Sequence, residues 1–265
     1  MTTETRTRFD LDAAPLAVRD VTLLVDDLDR MAEFYSRAIG LRVHAQTADS
    51  FTLGASRPVL TLRAPGGLAP RDPSAPGLFH TAFLLPNRTD LGDWFAHARR
   101  THVPLYGASD HNVSEAIYLE DPEGNGIEIY ADRPFEVWHD ADGRLIMPSR
   151  RLDLRGLPTG AGWSGAPAAT RIGHVHLQTT DIAAAEAFWT ARGFGLTSRY
   201  PGASFFGAGG YHHQLAANVW ASAGRAPRRP DAPGLAALTF EGDAAARASF
   251  TAPSGVRVTF EPREI

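Results

Sequence analysis

The sequence predicts an α+β protein made of a repeated β-α-β-β-β unit, present three times in full and once truncated. The main observation is internal similarity. "VTLLVDDLDRMAEFYSRAIGLRV" (21–43) and "VHLQTTDIAAAEAFWTARGFGLTS" (175–198) share one plan. Each has an apolar strand, an Asp suited to a helix N-cap (Asp27, Asp181), an aromatic pair on the helix and a Gly near its end. An Asp at that place accepts from the orphan N–H groups of the first turn, and Gly ends a helix by tolerating positive φ. Strand-rich segments follow both stretches, and the C-terminal stretch repeats the strands without room for a helix.

Taken in order, the first unit continues as two or three strands in "SFTLGASRPVLTLRAP" (50–65). The second has a strand in "LFHTAFLLPN" (78–87), a helix in "TDLGDWFAHARRTHV" (89–103) and a hairpin in "EAIYLEDPEGNGIEIYAD" (115–132). The hairpin turns at Pro122, Gly124, Asn125 and Gly126, residues that favour tight turns. Residues 132–170 carry a small hairpin around Asp142 and Gly143, then a Pro/Gly-rich stretch, and read as a linker lying against the body. The third unit continues as strands in 203–222, and 234–262 is the truncated fourth copy. The expected division is therefore 15–131, a linker over 132–170, and 171–262.

The 265 residues are 43% hydrophobic and 21% charged, which implies a packed core. A formal charge of −4 argues against nucleic-acid and membrane-surface partners. No apolar run approaches the ~20 residues that span a bilayer. The opening "MTTETRTRFDLDAAP" lacks a signal-peptide core and reads as a frayed tail, so a cytoplasmic location is expected. Without cysteine, any metal must take His, Asp, Glu or backbone oxygen.

Histidines carry the chemistry. In "RIGHVHLQTT" (171–180), His174 and His176 point to one face of a strand. In "GGYHHQL", His212 and His213 are adjacent, so on a strand only one of them faces inward. His44, His97, His102 and His139 have no such register and are expected at the surface. The stretch "RAPRRPD" (225–231) reads as a solvated loop. No phosphate-binding Gly-rich loop and no nucleophile elbow is present.

The repeats, with "SEAIYLEDPEGNGIEIYADRP", "IGHVHLQTTD" and "GGYHHQLAANVWA", resemble the vicinal oxygen chelate superfamily over roughly residues 17 to 222. That superfamily includes glyoxalase I, bleomycin- and fosfomycin-resistance proteins and extradiol dioxygenases, and the phrases are most similar to its catechol-2,3-dioxygenase-like branch. The resemblance implies two half-open barrel modules with a metal held inside by residues of first and last strands. The first-strand ligand of the family stands seven residues before the helix cap, which falls on His174 before Asp181 and on His80 before Asn87. The last-strand ligand falls on Glu128. The matching places in the first and fourth units carry Asp20 and Thr259, so the two middle units are expected to share one site.

Two His and one carboxylate with open positions suit Fe(II), and the same ligands serve Mn(II) or another divalent ion. The resemblance implies an Fe(II)-dependent extradiol dioxygenase acting on a catechol or hydroquinone-like substrate with O₂. Tyr118, ten residues before Glu128, is expected to donate to a substrate oxygen, His111 to line the mouth, and His212 or His213 to move protons. A glyoxalase-like lyase or isomerase is the alternative; it needs a carboxylate where this chain offers His or Gln214. A non-catalytic, drug-sequestering binding protein is the third reading. A homodimer is expected from family habit, with a partner covering the sheet edge left by the missing helix.

Overall fold

The structure, a computed structural model, describes residues 8–243 and 247–263. The first repeat is β1 (Ala17–Leu24), α1 (Leu28–Phe34), β2 (Arg42–Gln46), β3 (Ser50–Gly54) and β4 (Pro58–Arg63). The second is β5 (Gly77–Leu84), α2 (Arg88–Arg100), β6 (Gly107–Asp110), β7 (Ser114–Glu120) and β8 (Gly126–Asp132). A short strand, β9 (Arg150–Arg151), belongs to the linker. The third repeat is β10 (Arg171–Gln178), α3 (Ile182–Thr190), β11 (Gly195–Tyr200), β12 (Ala203–Gly207) and β13 (Leu215–Asn218). The fourth is β14 (Gly234–Gly242), β15 (Ala248–Thr251) and β16 (Arg257–Pro262), with no helix among the described residues. Residues 244–246, where a helix would begin, lie outside them.

The three helices start where the sequence places their caps. Asp27, Asn87 and Asp181 are extended, and their side chains accept from the N–H groups of Arg30, Asp90 and Ala184 at 3.1, 3.0 and 2.8 Å. Gly40 takes a φ of 82° where the first helix ends in a wide final turn. A side chain at Gly40 would also meet the backbone of Gly165 and Ala166, which tucks the linker against this turn.

Within every repeat the first strand runs parallel to the last: β1 with β4, β5 with β8, β10 with β13 and β14 with β16. Repeats then join antiparallel through their first strands, β10 to β5 and β1 to β14. The result is two sheets that curl as half-open barrels. One has nine strands in the order β11-β12-β13-β10-β5-β8-β7-β6-β9, and the other seven in the order β15-β16-β14-β1-β4-β3-β2. This pairing does not follow the sequence halves 15–131 and 171–262. The middle repeats make one sheet, and the last repeat returns to pair with the first. First strands are the free partners, and a 39-residue linker lets the third repeat reach the second while the ends of the chain close the other sheet.

The larger apolar cluster joins both sheets and the helices, with Tyr35, Phe83, Trp94, Trp189 and Phe240 fully enclosed. Trp94 donates its indole N–H to the carbonyl of Ala38 at 2.9 Å, fixing α2 against the end of α1. A second cluster of Ala82, Leu84, Tyr130, Trp138 and Tyr211 fills part of the inner face of the nine-stranded sheet. The expected hairpin is present, with His139 bridged to Leu145 and Gly143 at φ 75°. It is anchored by the buried Trp138 rather than lying loosely. The expected frayed tail is corrected in part: residues 1–7 lie outside the described residues, but Leu11 and Ala14 are buried, and Phe9 stacks on Trp138 at 5.7 Å. No helix of the described residues is long and apolar enough to cross a membrane.

Candidate metal centre and active site

Three buried side chains converge inside the nine-stranded sheet. His80 stands on β5, Glu128 on β8 and His174 on β10. His80 Nε2 lies 3.1 Å and His174 Nε2 3.4 Å from the same Glu128 oxygen, and the two imidazole nitrogens are 3.3 Å apart. The register explains the convergence. His174 pairs with Ala82 and Ala82 with Glu128, so one row across three strands carries a ligand-type residue on each side of a methyl group. His80, two residues before Ala82, faces the same way and leans into the space above it. Gly126, beside His80 in the adjoining row, cannot carry a side chain: its Cβ would sit 2.0 Å from the carbonyl of Phe79.

The three donors fit a metal ion. An ion bonded at ~2.1 Å gives donor–donor edges of ~3.0 Å in an octahedron and ~3.4 Å in a tetrahedron; the observed edges fall between these. Burial brings the His80 imidazole down to about 3, against the opposing pull of Glu128, so the ring is neutral and offers a lone pair. Burial alone would raise the Glu128 carboxyl, but the His174 and His80 imidazoles bring it down to about 2, and it is ionised. Two imidazole nitrogens and an ionised carboxylate oxygen brought this close together inside a protein are a donor set that suits a cation. His174 Nδ1 is buried and has no partner among the described residues.

Around this triangle lies a cavity of about 350 Å³. Tyr118 enters it from β7, directly opposite Glu128 across the hairpin. Its phenol pKa is raised well above the ordinary 10 by burial and by the Glu128 charge, so it stays a donor. Tyr118 Oη is 2.8 Å from His111 Nε2, and His111 Nδ1 is 2.8 Å from the carbonyl of Pro148. A carbonyl only accepts, so Nδ1 carries the proton, and in the neutral ring Nε2 is left to accept from Tyr118. The linker thus sets the tautomer of a residue in the cavity wall.

His212 and His213 depart from the expectation of opposite faces. They precede β13 in a bend that follows Gly209 and Gly210, both at positive φ, so the strand period does not apply. Only His213 lines the cavity; its ring lies 4.2 Å from that of His174. His212 stands behind it, with the two Nδ1 atoms 2.8 Å apart and His212 Nε2 2.9 Å from Asp132 Oδ1. The partners again fix the protons. His212 donates from Nε2 to the carboxylate, accepts at Nδ1 from His213, and His213 Nε2 keeps a free lone pair. Burial holds both rings below the ordinary imidazole range, His213 well below, so both are neutral. Tyr211 donates to Asp132 at 3.0 Å and stands 2.8 Å from Tyr130, which orients the carboxylate.

His176 shares the face of His174, but its Nε2 accepts from Asn218 at 3.0 Å, and its ring packs against Phe79, Phe205 and Trp220. It belongs to the wall and not to the triangle. Gln214 is buried in bonds to Ala208 and Leu16 and does not line the cavity; His213 does, where the glyoxalase-like alternative required a carboxylate. Sequence reasoning missed Asp132, although positions 128, 130 and 132 share one face of β8. It also missed Phe79 and Trp220. Phe79 alternates with His80 and should face away, but a bulge between the His176–His80 and Leu177–Leu78 pairs turns it to the cavity.

Comparison with known proteins agrees with this geometry. Residues 18–129 match the model of the Glyoxalase/Bleomycin resistance protein/Dioxygenase superfamily. A catechol-2,3-dioxygenase of Bacillus subtilis is 39% identical over 223 residues, covering 80% of this chain and 78% of the relative. The chain belongs to the glyoxalase/bleomycin resistance/dioxygenase superfamily. A biphenyl-2,3-diol 1,2-dioxygenase of Rhodococcus globerulus is 34% identical over a shorter stretch, 28% of this chain and 39% of that protein. Among solved structures, a candidate dioxygenase of Bacillus subtilis superposes with a TM-score of 0.65 at 11% identity, over 93% of this chain and 84% of its own. A glyoxalase I variant of Zea mays gives 0.57 at 14% identity, over 95% of both chains. At those identities the structural likeness carries the fold alone.

Proposed function

We propose that the chain is an extradiol ring-cleaving dioxygenase that uses a divalent metal, Fe(II) or by the same ligands Mn(II), held by His80, Glu128 and His174. The observation that carries this is the buried two-imidazole, one-carboxylate triangle opening onto a cavity lined by His213, Tyr118 and His111. The kinship with a catechol-2,3-dioxygenase supports it. The overall reaction adds both atoms of O₂ across the ring bond beside the diol; one ends in a carboxylate and the other in a new carbonyl, with release of a proton. A bound ion supplies Lewis acidity and a template that brings diolate and O₂ together. His213, with its free Nε2, accepts a hydroxyl proton of the incoming diol, and Asp132 behind His212 steadies the charge that results. Tyr118, whose single O–H points to His111 in the free site, turns that proton to a substrate oxygen when the diol enters, and until then His111 holds the phenol in place.

The cavity mouth points to the substituents. Phe79, Tyr200 and Trp220 line it and are 37%, 59% and 50% exposed. Arg199, also in the lining, is tied to Glu186 by two bonds of 2.8 Å. An apolar extension on the catechol is favoured there over a carboxylate. The test is anaerobic loading with Fe(II) followed by oxygen uptake with catechol, an aryl-substituted catechol and 3,4-dihydroxybenzoate. Uptake with one O₂ consumed per ring opened is expected, at least about tenfold faster in kcat/KM for the aryl compound than for the acid. Stoichiometric iron with no uptake from any catechol would sink the proposal.

A further inference from the structure

A second cavity, also about 350 Å³, lies at the junction of the two sheets, away from the triangle. Its walls are the loops 70–76 and 225–233, the starts of β5 and β14 and the end of β10. The basic stretch 225–231 is the exposed loop expected of it at every residue but Arg228, which turns into this wall and is only 8% exposed. Arg228 reaches the carbonyl of Ala232 at 2.5 Å, which uses one of the five N–H groups of a guanidinium. Its backbone packs on Gly255, where a Cβ would sit 2.9 Å away. Arg228 forms no ion pair among the described residues, because the nearby Asp231 is held bidentately by Arg229. Arg225 and Arg71 line the same cavity, and Arg71 donates to the carbonyl of Gly124. Asp72 is the opposing charge in the lining, with its carboxylate turned to Ser74. With the Arg229–Asp231 pair neutral, three guanidiniums face one carboxylate. Two amides complete the polar wall, Asn125, bonded to Asp121, and Gln178, whose Oε1 is buried with no hydrogen-bond donor among the described residues.

We propose that this cavity binds a small oxyanion that carries an O–H group, such as hydrogen phosphate or a hydroxycarboxylate. Arg228, Arg225 and Arg71 neutralise the anion, and the O–H donates to Gln178 Oε1. A buried cation whose nearby carboxylate is already held by another arginine, and a buried acceptor without a donor, are each unfavourable, and one ligand of this chemistry satisfies both. The acceptor also gives the site selectivity. Inorganic phosphate keeps an O–H at neutral pH and isosteric sulfate does not, so sulfate leaves Gln178 unsatisfied.

The experiment is calorimetric titration of the metal-loaded protein with inorganic phosphate, sulfate and malate, separately. Saturable phosphate binding is expected, with sulfate at least about tenfold weaker. Malate binding as tightly as phosphate assigns the site to hydroxycarboxylates, and malate binding more weakly assigns it to phosphates. Arg228→Met is expected to weaken binding of the preferred anion at least about tenfold. Arg225→Gln, at an exposed position that does not bear on folding, should weaken it several-fold. Phosphate and sulfate binding equally, no saturation by any of the three, or binding unchanged in Arg225→Gln and Arg228→Met would overturn the proposal. Since the readout is heat of binding, its outcome is independent of whether catechols are cleaved.

Discussion

The two sheets are built alike, and among the described residues only one gathers donors that could hold a metal. In the nine-stranded sheet, the row His174–Ala82–Glu128 crosses β10, β5 and β8. In the seven-stranded sheet, the equivalent row crosses β1, β14 and β16 as Asp20–Thr239–Thr259. There Asp20 accepts from the Thr239 hydroxyl at 3.1 Å, and Thr259 lies 3.1 Å from the Ser249 hydroxyl. Each polar group finds a neighbour within the sheet, and nothing is left converging on a point. The backbone provides a place for a site, and the residues standing on it decide whether one forms: the place of His80 is taken by Ala237 in the seven-stranded sheet. Volume adds to this, since the methyl group of Ala82 leaves space beside His80 that a threonine, as at Thr239, would take up.

The harshest way to break the difference is Glu128→Gln. Losing the charge should reduce metal affinity by at least about 100-fold, beyond the usual cost of losing an outer partner, and ring cleavage should fall to background. Elemental analysis after dialysis checks it; full metal retention would refute the assignment of Glu128. Next is His213→Gln, which removes a proton acceptor but no member of the triangle. Activity should fall by about 10²–10⁴-fold with metal content unchanged. Importing the seven-stranded sheet's residue, Ala82→Thr, tests the volume argument itself. Crowding of a fully buried position should cost about 1–3 kcal/mol and weaken metal binding about tenfold. An unaltered metal affinity would show that Ala82 is not what admits His80.

Smaller effects separate the sheets by titration. His176 is held well below its ordinary 6.5 by burial. Below pH 6.5 the unfolded chain therefore binds a proton that the folded chain refuses, and stability falls as pH falls. Each such histidine adds up to about 1.4 kcal/mol per pH unit to that slope. His176→Phe should flatten the decline between pH 6 and 4 in metal-free protein, as read by thermal unfolding. The smallest expected effect is Asp20→Asn in the seven-stranded sheet. Burial raises the Asp20 carboxyl above 3.8, so its ionisation disfavours folding as pH rises through that window. The variant should retain full metal content and shift stability by no more than about 0.5 kcal/mol.

Much of this was legible in the sequence because it rests on local rules. Helix caps, the Pro122–Gly126 turn and the strand periods follow from nearest neighbours, whereas His80 and His174 were reached through the family resemblance, which sets a ligand seven residues before the cap. That both middle repeats serve one centre also followed from the lopsided placement of donors. The pairing of first repeat with last did not, since nothing local distinguishes one free first strand from another. The orientation of His212 and His213 was lost to a glycine bend, and Phe79 to a bulge. Both are departures from the period on which strand reading depends. Arg228 was misread for another reason: composition marks a basic loop as solvated, and only the fold of two loops against each other encloses it.

The contact between His111 and the Pro148 carbonyl has a consequence for how this enzyme can vary. A main-chain oxygen is present whatever amino acid stands there, so substitutions in the 139–149 excursion leave the acceptor in being. What they cannot change without harm is where the chain passes. Inserting or deleting a single residue between Trp138 and β9 would slide the carbonyl along the wall, release the imidazole and let the phenol of Tyr118 swing. Tolerance to substitution alongside intolerance to altered length is the signature expected of this segment.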